Sequence, residues 1–360
     1  MRINFATLLF FIANGIVVVA IPPYLRDLGV ISESTIGTII STAFFVSVIV
    51  RPLSGFIGDK VGYVKVMRIG VVFAVMSQIM YLLSNPLWVQ IGRVFHGFAI
   101  GTFLPMSIAI SVTEGAKAMA TRSLAVGIGN VVGPLIGSIL YDLGGGRLSI
   151  TVALLLHTIN WFFINGAVST EARGKGGDIL MPETRVFFFT ALLTIYATVY
   201  MGISTFTPLR LKDEGLPITY WGLFSSIAAI SSLIPRAFLL RMGFVNYITA
   251  GLASAITMAG LALVAVAWDL PLFSVAGAIY GLGQGAVVVT YQILALAGSR
   301  NAGLASAVYT MGWDLGSIIG PIFAGVLVEH FGYGVLYYVP LLLLANMGTL
   351  FIYALHKRKM

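Results

Sequence analysis

Residues 4–25, NFATLLFFIANGIVVVAIPPYL, form an apolar stretch without a single Asp, Glu, Lys or Arg. As a helix this stretch would be about 33 Å long, which is enough to cross the hydrocarbon core of a bilayer. Backbone polar groups in lipid must be satisfied within the segment, and a β-barrel would show short alternating strands instead. The stretch exceeds the apolar part of a signal peptide, and Pro22-Pro23-Tyr24 is a poor cleavage site. It therefore predicts a first transmembrane helix.

The composition extends this prediction to the whole chain of 360 residues, of which 58% are hydrophobic and 9% charged. A soluble domain carries about 25% charged residues, so a soluble fold, a disordered chain, a coiled coil and a nucleic-acid-binding domain are excluded. The absence of cysteine excludes disulfides and thiolate metal sites. We predict an all-α membrane protein with twelve transmembrane helices, at about 4–25, 34–57, 66–84, 87–112, 123–141, 148–169, 186–208, 218–240, 246–267, 270–296, 303–327 and 333–355.

The loop charges predict the direction of insertion. Counted on alternate loops from the N-terminus, sixteen of the 21 Lys and Arg residues fall on one side, and one, Arg93, lies inside a span. The other side holds four, Arg26, Arg147, Arg210 and Lys212, with the acids Asp27, Glu33, Asp142, Asp213, Glu214, Asp269 and Glu329. The positive-inside rule places both termini in the cytosol. The net charge of +8 then follows from topology and requires no anionic partner.

The two halves of the chain repeat each other. A shift of about 186 positions aligns Asp27 with Asp213, Arg51 with Arg236, Gly97 with Gly281, Gly129 with Gly316, and Gly133-Pro134 with Gly320-Pro321. Such parallel repeats characterise one class of secondary transporters, with the substrate site between the halves. We expect an N-terminal six-helix bundle at 1–170, a cytosolic linker at 171–185 and a C-terminal six-helix bundle at 186–360.

The loop after the second span has a distinctive pattern, in which Gly55, Asp59, Lys60, Gly62 and Lys65 stand at fixed spacing. It resembles the signature loop of the major facilitator superfamily, G-x-x-x-D-[RK]-x-G-[RK]-[RK], with Tyr63 at a usually basic position. The resemblance implies a latch on the cytosolic gate, for which Glu114 and Arg122 look like the charge partners. Gly55 is expected to permit close helix approach. The alternative is a set of solvated loop charges.

Two further motifs resemble that family, and most of all its drug–proton antiporter branch. Arg93 is followed by Gly97 and Gly101 on one face of span four, and the resemblance implies that Arg93 acts in proton coupling. Its alternative role is an anchor to backbone carbonyls. Span five resembles the antiporter motif G-x-x-x-G-P-x-x-G-G at Gly129, Gly133, Pro134 and Gly137, with Ser138 for the last glycine. This motif is associated with efflux by exchange, and tight helix packing alone is the alternative.

Span eleven carries an acid, Asp314, about 16 Å from its cytosolic end and therefore near the midplane. Gly316, Gly320 and Pro321 lie on the same span, and the glycines predict close packing on the face away from Asp314. An embedded acid can exchange protons within the working pH range, whereas a permanent pair with Arg93 would be a structural bridge. The sequence leaves both possibilities open.

Polar and aromatic residues at helical spacing predict the faces of a central cavity, formed by spans one, four, seven and ten in this family. The candidates are Thr7, Asn14, His96, Tyr196, Tyr200, Ser204, Tyr280, Gln284 and Tyr291. Aromatic residues with few charges suit a lipophilic or weakly polar solute, although ordinary interhelical hydrogen bonds would give the same pattern. His157 and Asn160 on span six are expected to be satisfied packing residues.

We predict a secondary transporter with the major facilitator fold, a multidrug-type antiporter that exports a small lipophilic or amphiphilic solute against protons. Asp314 and Arg93 are the proton-coupling candidates. A sugar or metabolite symporter or uniporter, and a non-transporting membrane sensor or scaffold, are the alternatives. We expect no enzyme activity, cofactor, metal or nucleic acid. The expected partners are the solute, protons and the lipid bilayer, and the expected form is a monomer in the cell membrane.

Overall fold

The computed structural model describes residues 2–165, 182–299 and 302–357, which are mostly helical and contain no strand. The helices of this part of the chain are α1 Arg2–Asp27, α2 Glu33–Val61, α3 Tyr63–Leu82, α4 Pro86–Glu114, α5 Ala116–Asn165, α6 Thr184–Asp213, α7 Thr219–Ser231, α8 Leu233–Met242, α9 Tyr247–Val266, α10 Leu270–Leu296, α11 Ala302–Phe331 and α12 Leu343–Lys357. Two 3₁₀ turns, Tyr333–Tyr337 and Val339–Leu342, precede α12.

Eleven helical segments within the described residues are long and apolar enough to cross a membrane, and the protein is a multi-pass membrane protein. One of them, in α5, is interrupted by non-helical backbone at Gly144 and Gly145. The 50 residues of α5 would span about 75 Å as one straight helix, more than twice the thickness of a hydrocarbon core. Gly145 has φ of +70°, a conformation that favours glycine. The interruption leaves a long apolar segment on either side.

Local signals in the sequence explain where several helices begin. Ser32 precedes α2 and accepts a hydrogen bond from the backbone N–H of Thr35, and Asn246 forms a capping box with Thr249 at the start of α9. Asp269 caps α10 in the same way as Ser32 caps α2. The predicted span 218–240 differs from the structure, because it is divided at Ser232 into α7 and α8.

The described residues form two compact units. The first unit contains 2–165 and 211–222, and the second contains 182–210, 223–299 and 302–357. The segment 211–222, which joins α6 to α7, was expected in the second domain but packs with the first unit. Most of the predicted linker 171–185 lies outside the described residues, so the domain boundaries stay a prediction.

Close helix pairs of the same kind occur in both units. In the first unit a Cβ atom added to Gly133 of α5 would lie 2.7 Å from the carbonyl oxygen of Ile12 in α1. In the second unit a Cβ added to Gly320 of α11 would lie 2.4 Å from the carbonyl oxygen of Thr198 in α6. The shift that aligns the two halves of the sequence pairs both the glycines and the carbonyls. The absence of a side chain at each glycine therefore permits the same helix contact in each unit.

A second close pair repeats in the same way. Gly97 of α4 faces the carbonyl oxygen of Ala43 in α2, where an added Cβ would come within 2.6 Å. Gly281 of α10 faces the carbonyl oxygen of Ala228 in α7, at 2.3 Å by the same measure. The sequence matches Gly97 with Gly281, and the structure gives both the same packing role.

A buried hydrogen bond also recurs. The side-chain amide of Asn160, in the last part of α5, donates to the carbonyl of Ala6 in α1 at 3.0 Å. The amide of Asn346 in α12 donates to the carbonyl of Leu192 in α6 at 2.8 Å. Donor and acceptor are both displaced by the shift that relates the two halves of the sequence. The predicted packing role of Asn160 thus has a counterpart in the second unit.

Candidate functional site

Arg93 is the centre of a buried polar chain in the first unit. Its side chain is 2% exposed, and one terminal nitrogen donates to the carbonyl of Ile40 at 2.5 Å. The other lies 3.1 Å from Nδ1 of His96, whose Nε2 lies 2.9 Å from Oδ1 of Asn14. A guanidinium group can only donate, so we assign Nδ1 of His96 as the acceptor and Nε2–H as the donor to Asn14. This chain of hydrogen bonds therefore orients the half-buried Asn14.

The predicted first-unit cavity residues are only partly brought together. Asn14 and His96 belong to the Arg93 chain, and the hydroxyl of Tyr81 lies 3.2 Å from Nδ1 of His96. Thr7 is fully buried and its hydroxyl donates to the carbonyl of Ile3 within α1. The carbonyl bond of Arg93 matches the anchor role left open by the sequence, and its role in coupling stays a prediction.

Five aromatic side chains of the second unit form a cluster, which we call the aromatic cluster: Tyr196, Tyr200, Phe224, Tyr280 and Trp313. The hydroxyls of Tyr196 and Tyr280 are 2.9 Å apart, and the rings of Tyr200 and Tyr280 are stacked with centroids 5.4 Å apart. Trp313 lies 5.9 Å from Tyr200 between ring centroids, and Phe224 lies 5.5 Å from Tyr280. The structure adds Trp313 and Phe224 to three residues predicted from the sequence.

The other candidates of the second unit contribute differently. Tyr291 is buried, and its hydroxyl contacts Ser254 of α9 at 2.7 Å and Asn346 of α12 at 3.2 Å. The hydroxyl of Ser204 donates to the carbonyl of Met201 within α6. Gln284 is half-buried on α10. The hydroxyl group of Tyr291 thus holds three helices together, and that of Ser204 is engaged within its own helix.

Three charged side chains are buried among the described residues, Arg93, Arg210 and Asp314, and Asp314 is 6% exposed. The prediction that Arg210 lies in a loop was wrong, because it lies within α6 and is buried. Its guanidinium donates to the carbonyls of Ala265 and Ala267, at the C-terminal end of α9. A helix C-terminus has unsatisfied carbonyls and a partial negative charge, so Arg210 caps α9 from within the protein.

The predicted cytosolic latch lies between α2 and α3. Asp59 accepts a hydrogen bond from the hydroxyl of Tyr63 at 2.9 Å, and the Lys60 ammonium lies 4.0 Å from the ring centroid of Phe56. Gly62 has φ of +97° and ends α2. Gly55 does not make the expected close helix contact, because nothing lies within 4 Å of a Cβ built there.

The charge partners expected for this latch are placed elsewhere. Arg122 donates from Nε to the hydroxyl of Ser107 at 3.0 Å, and Glu114 and Lys65 are exposed. In the part of the chain that the structure describes, no salt bridge joins Asp59 to Arg122. The latch therefore stays a prediction.

The packing motifs lie on close helix contacts. Gly129 and Gly137 of α5 lie against Phe11 and Ile16 of α1, on either side of Gly133. Pro134 lies inside α5 and Pro321 inside α11. Gly316 lies against Ala197 of α6. These contacts supply the packing role, and the association with exchange stays a prediction.

An ion-pair network missed by the sequence analysis lies where α1 ends and α6 joins α7. Arg26 contacts Asp213 at 3.1 Å and Glu33 at 2.5 Å, and Lys212 forms a salt bridge with Asp27. The neighbours Arg26-Asp27 recur as Lys212-Asp213 under the shift that relates the two halves. Each base binds the acid of the other copy, so the pairing is reciprocal. We call these residues, together with Asp142, the outer charge network, after the side on which the sequence predicts their loops.

Further hydrogen bonds lie beside these ion pairs. Asp142 accepts the backbone N–H groups of Ile218 and Thr219 at 2.9 and 2.8 Å, and the Thr219 hydroxyl at 2.5 Å. It therefore caps the N-terminus of α7, which begins at Thr219. The hydroxyl of Tyr141 donates to Asp27. The repeat of Asp27 as Asp213 was the one sequence signal that pointed to this network.

The long apolar helices and their glycine-mediated pairs define a polytopic membrane protein. The chain belongs to the Major Facilitator Superfamily, whose family model matches residues 3–310. It is therefore a membrane transporter that acts on small molecules.

Relatives and a solved structure agree with this assignment. The staphylopine export protein of Staphylococcus aureus is 26% identical over 66% of this chain and 64% of its own length. The quinolone resistance protein NorA of the same species is 24% identical over 90% of this chain and 88% of its own length. A mutant of the nucleoside transporter NupG superposes with a TM-score of 0.81 at 15% identity, covering 98% of each chain, which shows the fold alone.

Proposed function

We propose that the protein is a proton-coupled antiporter that exports a small lipophilic or amphiphilic solute by alternating access. The observation that carries this proposal is the buried Asp314, which directly follows Trp313 of the aromatic cluster. One short segment of α11 thus supplies both a proton-exchanging group and an apolar aromatic surface. The other arguments support parts of the same mechanism.

The finer architecture in this proposal is twelve spans in two parallel six-helix repeats. The interruption at Gly144 and Gly145 supports two passes within α5, which would raise eleven apolar segments to twelve. The recurring contacts of Gly133 with Gly320, and of Asn160 with Asn346, support two copies of one bundle. In such transporters the substrate site lies near the midplane of the bilayer.

The charges of the coupling candidates are not required by the repeated fold. The shift that aligns Gly129 with Gly316 places Gly127 opposite Asp314, and an added Cβ at Gly127 would meet nothing within 4 Å. The shift that aligns Gly97 with Gly281 places Gly277 opposite Arg93. A carboxyl group that experiences different surroundings in two conformations binds a proton with different affinity in each, which couples protons to the conformational change.

The proposed substrate class rests on the aromatic cluster and on the relatives. Stacked aromatic rings with few charges suit planar, lipophilic molecules. NorA is named for quinolone resistance and the staphylopine exporter for an export function. We therefore propose export, and we choose a fluorescent quinolone as the first test solute.

The proposed location is the cell membrane, with both ends of the sequence in the cytosol and the protein as a monomer. The excess of Lys and Arg on one set of loops supports this orientation. The outer charge network would then lie on the outside, and the loop with Asp59 and Lys60 would latch the cytosolic gate.

The test is transport by purified protein in phosphatidylethanolamine–phosphatidylglycerol vesicles with an imposed pH gradient. We expect uphill movement of the quinolone, or of another member of a panel of lipophilic dyes, that a protonophore abolishes. Asp314→Asn should lose uphill transport, whereas Glu329→Gln, an exposed acid on the same helix, should keep it. Solute flux that is independent of the pH gradient for every solute tested would contradict the proposed function.

A further inference from the structure

His157 of α5 is a buried imidazole whose two ring nitrogens have no hydrogen-bond partner. Its side chain is 1% exposed, and its ring lies edge-on to Phe10 of α1, with centroids 5.3 Å apart. A buried donor and a buried acceptor that are left unsatisfied each destabilise the conformation in which they occur. The expectation that His157 is a satisfied packing residue was therefore wrong.

The repeated fold does not require an imidazole at this position. Asn160, one turn further along, matches Asn346 in both sequence and hydrogen bonding under the shift that relates the two halves. The same shift takes His157 to Leu343, which is fully buried. The side-chain oxygens of Asn160 and Asn346 both lack partners, so that feature belongs to the repeat. The unsatisfied histidine, by contrast, has an apolar counterpart in the second unit.

The neighbouring His96 has both ring nitrogens in hydrogen bonds, whereas both nitrogens of His157 are without a partner. Arg93 occupies Nδ1 of His96, and Nε2–H of His96 is directed to Asn14, so both nitrogens of His96 are engaged. Tyr81 of α3 bonds to His96.

The remaining elements around His157 add no buried charge. Helix α1 has no Asp, Glu, Lys, His or Tyr between Arg2 and Tyr24. The part of α5 after the interruption carries Arg147 as its one charged residue up to Asn165. The burial of the ring beside Phe10 therefore opposes a positive charge on His157 in this conformation.

We propose that His157 is a second proton-binding residue, which is neutral in this conformation and takes up a proton in the opposite one. This inference rests on the proposed antiport and assigns two protons to each exported solute, one on Asp314 and one on His157. A neutral imidazole without partners gains most from a conformation that admits water or a polar solute group, because both nitrogens can then be satisfied. The protonated ring gains more from that hydration than the neutral ring does, so the proton affinity of His157 differs between the two conformations, and this difference is the source of coupling.

The equilibrium accumulation ratio of the solute tests the proposal. At zero membrane potential and a gradient of one pH unit, each coupled proton raises that ratio about tenfold. We expect His157→Gln, which keeps hydrogen bonding, and His157→Leu, which copies the second unit, to lower the final ratio about tenfold. Solute exchange without a gradient should persist in both variants, and His330→Gln, an exposed histidine, is the control.

A merely structural role of His157 would slow the approach to equilibrium and leave the final ratio unchanged. An unchanged ratio in both variants, with normal accumulation by the unmodified protein, would overturn the proposal and leave the antiport function intact. Failure of the unmodified protein to accumulate any solute of the panel would instead overturn the proposed function. Nitrogen-15 NMR reports the protonation state of the His157 ring independently. The chain has four histidines, and the signal that is lost in His157→Gln belongs to His157.

Discussion

Replacing Asp27 and Asp213 together by asparagine removes the acid of both reciprocal ion pairs in the outer charge network. The four side chains are 18% to 36% exposed, so each pair is partly screened by solvent. Pairs of this kind contribute about 0.2–1 kcal/mol each, which gives roughly 0.4–2 kcal/mol for the two. The population in which residues 211–222 are detached should therefore rise roughly twofold to thirtyfold.

The assay is the rate at which a thiol reagent labels Ile218→Cys. Ile218 is 2% exposed, and its backbone N–H is bonded to Asp142, so labelling requires the segment to detach. The chain has no cysteine, and the reagent therefore has no competing site. We expect faster labelling in the double variant, and a rate that depends less on salt than in the otherwise unmodified protein.

Two comparisons make this prediction specific. Glu114→Gln, an exposed acid outside the network, should leave the labelling rate within about twofold of the unmodified value. A protein that carries both Asp27→Lys and Lys212→Asp, and so exchanges the charges of one pair, should be labelled as slowly as the unmodified protein. Equal rates in the double asparagine variant and the unmodified protein would refute the argument that the network holds this segment.

Two further predictions concern stability in detergent, measured as the midpoint of thermal unfolding. Gly133→Val should destabilise the first unit by about 1–3 kcal/mol, because the new side chain would meet the carbonyl of Ile12. Gly127→Val, whose side chain would face open space, should not lower the midpoint. Equal midpoints for the two variants would contradict the packing argument. Arg210→Leu should cost about 1.5–3 kcal/mol, because the carbonyl of Ala265 at the end of α9 loses a charged donor, and an unchanged midpoint would rule out this capping role.

The apolar stretches and the glycine pattern could be predicted from the sequence because they depend on local composition and spacing. The match of Gly133 with Gly320 was visible as a repeat of residues, and the structure gives both the same contact. The interruption at Gly144 and Gly145 falls between the predicted spans 123–141 and 148–169. Helical periodicity identifies the face on which a residue lies, and this was sufficient to group Tyr196 with Tyr200 on one helix.

The partners of charged and polar groups could not be predicted, since they depend on which helices meet. Arg210 follows an apolar run and precedes charged residues, so its burial against α9 had no local signal. The pairing of Arg26 with Asp213 joins residues that are far apart in the sequence. His157 looked like a satisfied packing residue until its environment was known. The repeat was a usable signal here, because it places Leu343 at the equivalent position.

Proton movement driven by solute tests the central claim most directly. Vesicles that hold a pH-sensitive dye, with no initial pH gradient and with the membrane potential clamped at zero, receive an outward or inward gradient of a solute that the protein transports. We predict that the solute gradient drives protons in the opposite direction, and that Asp314→Asn abolishes this movement while Glu329→Gln does not. Solute flux without any proton movement in the unmodified protein, or undiminished movement in Asp314→Asn, would contradict the account.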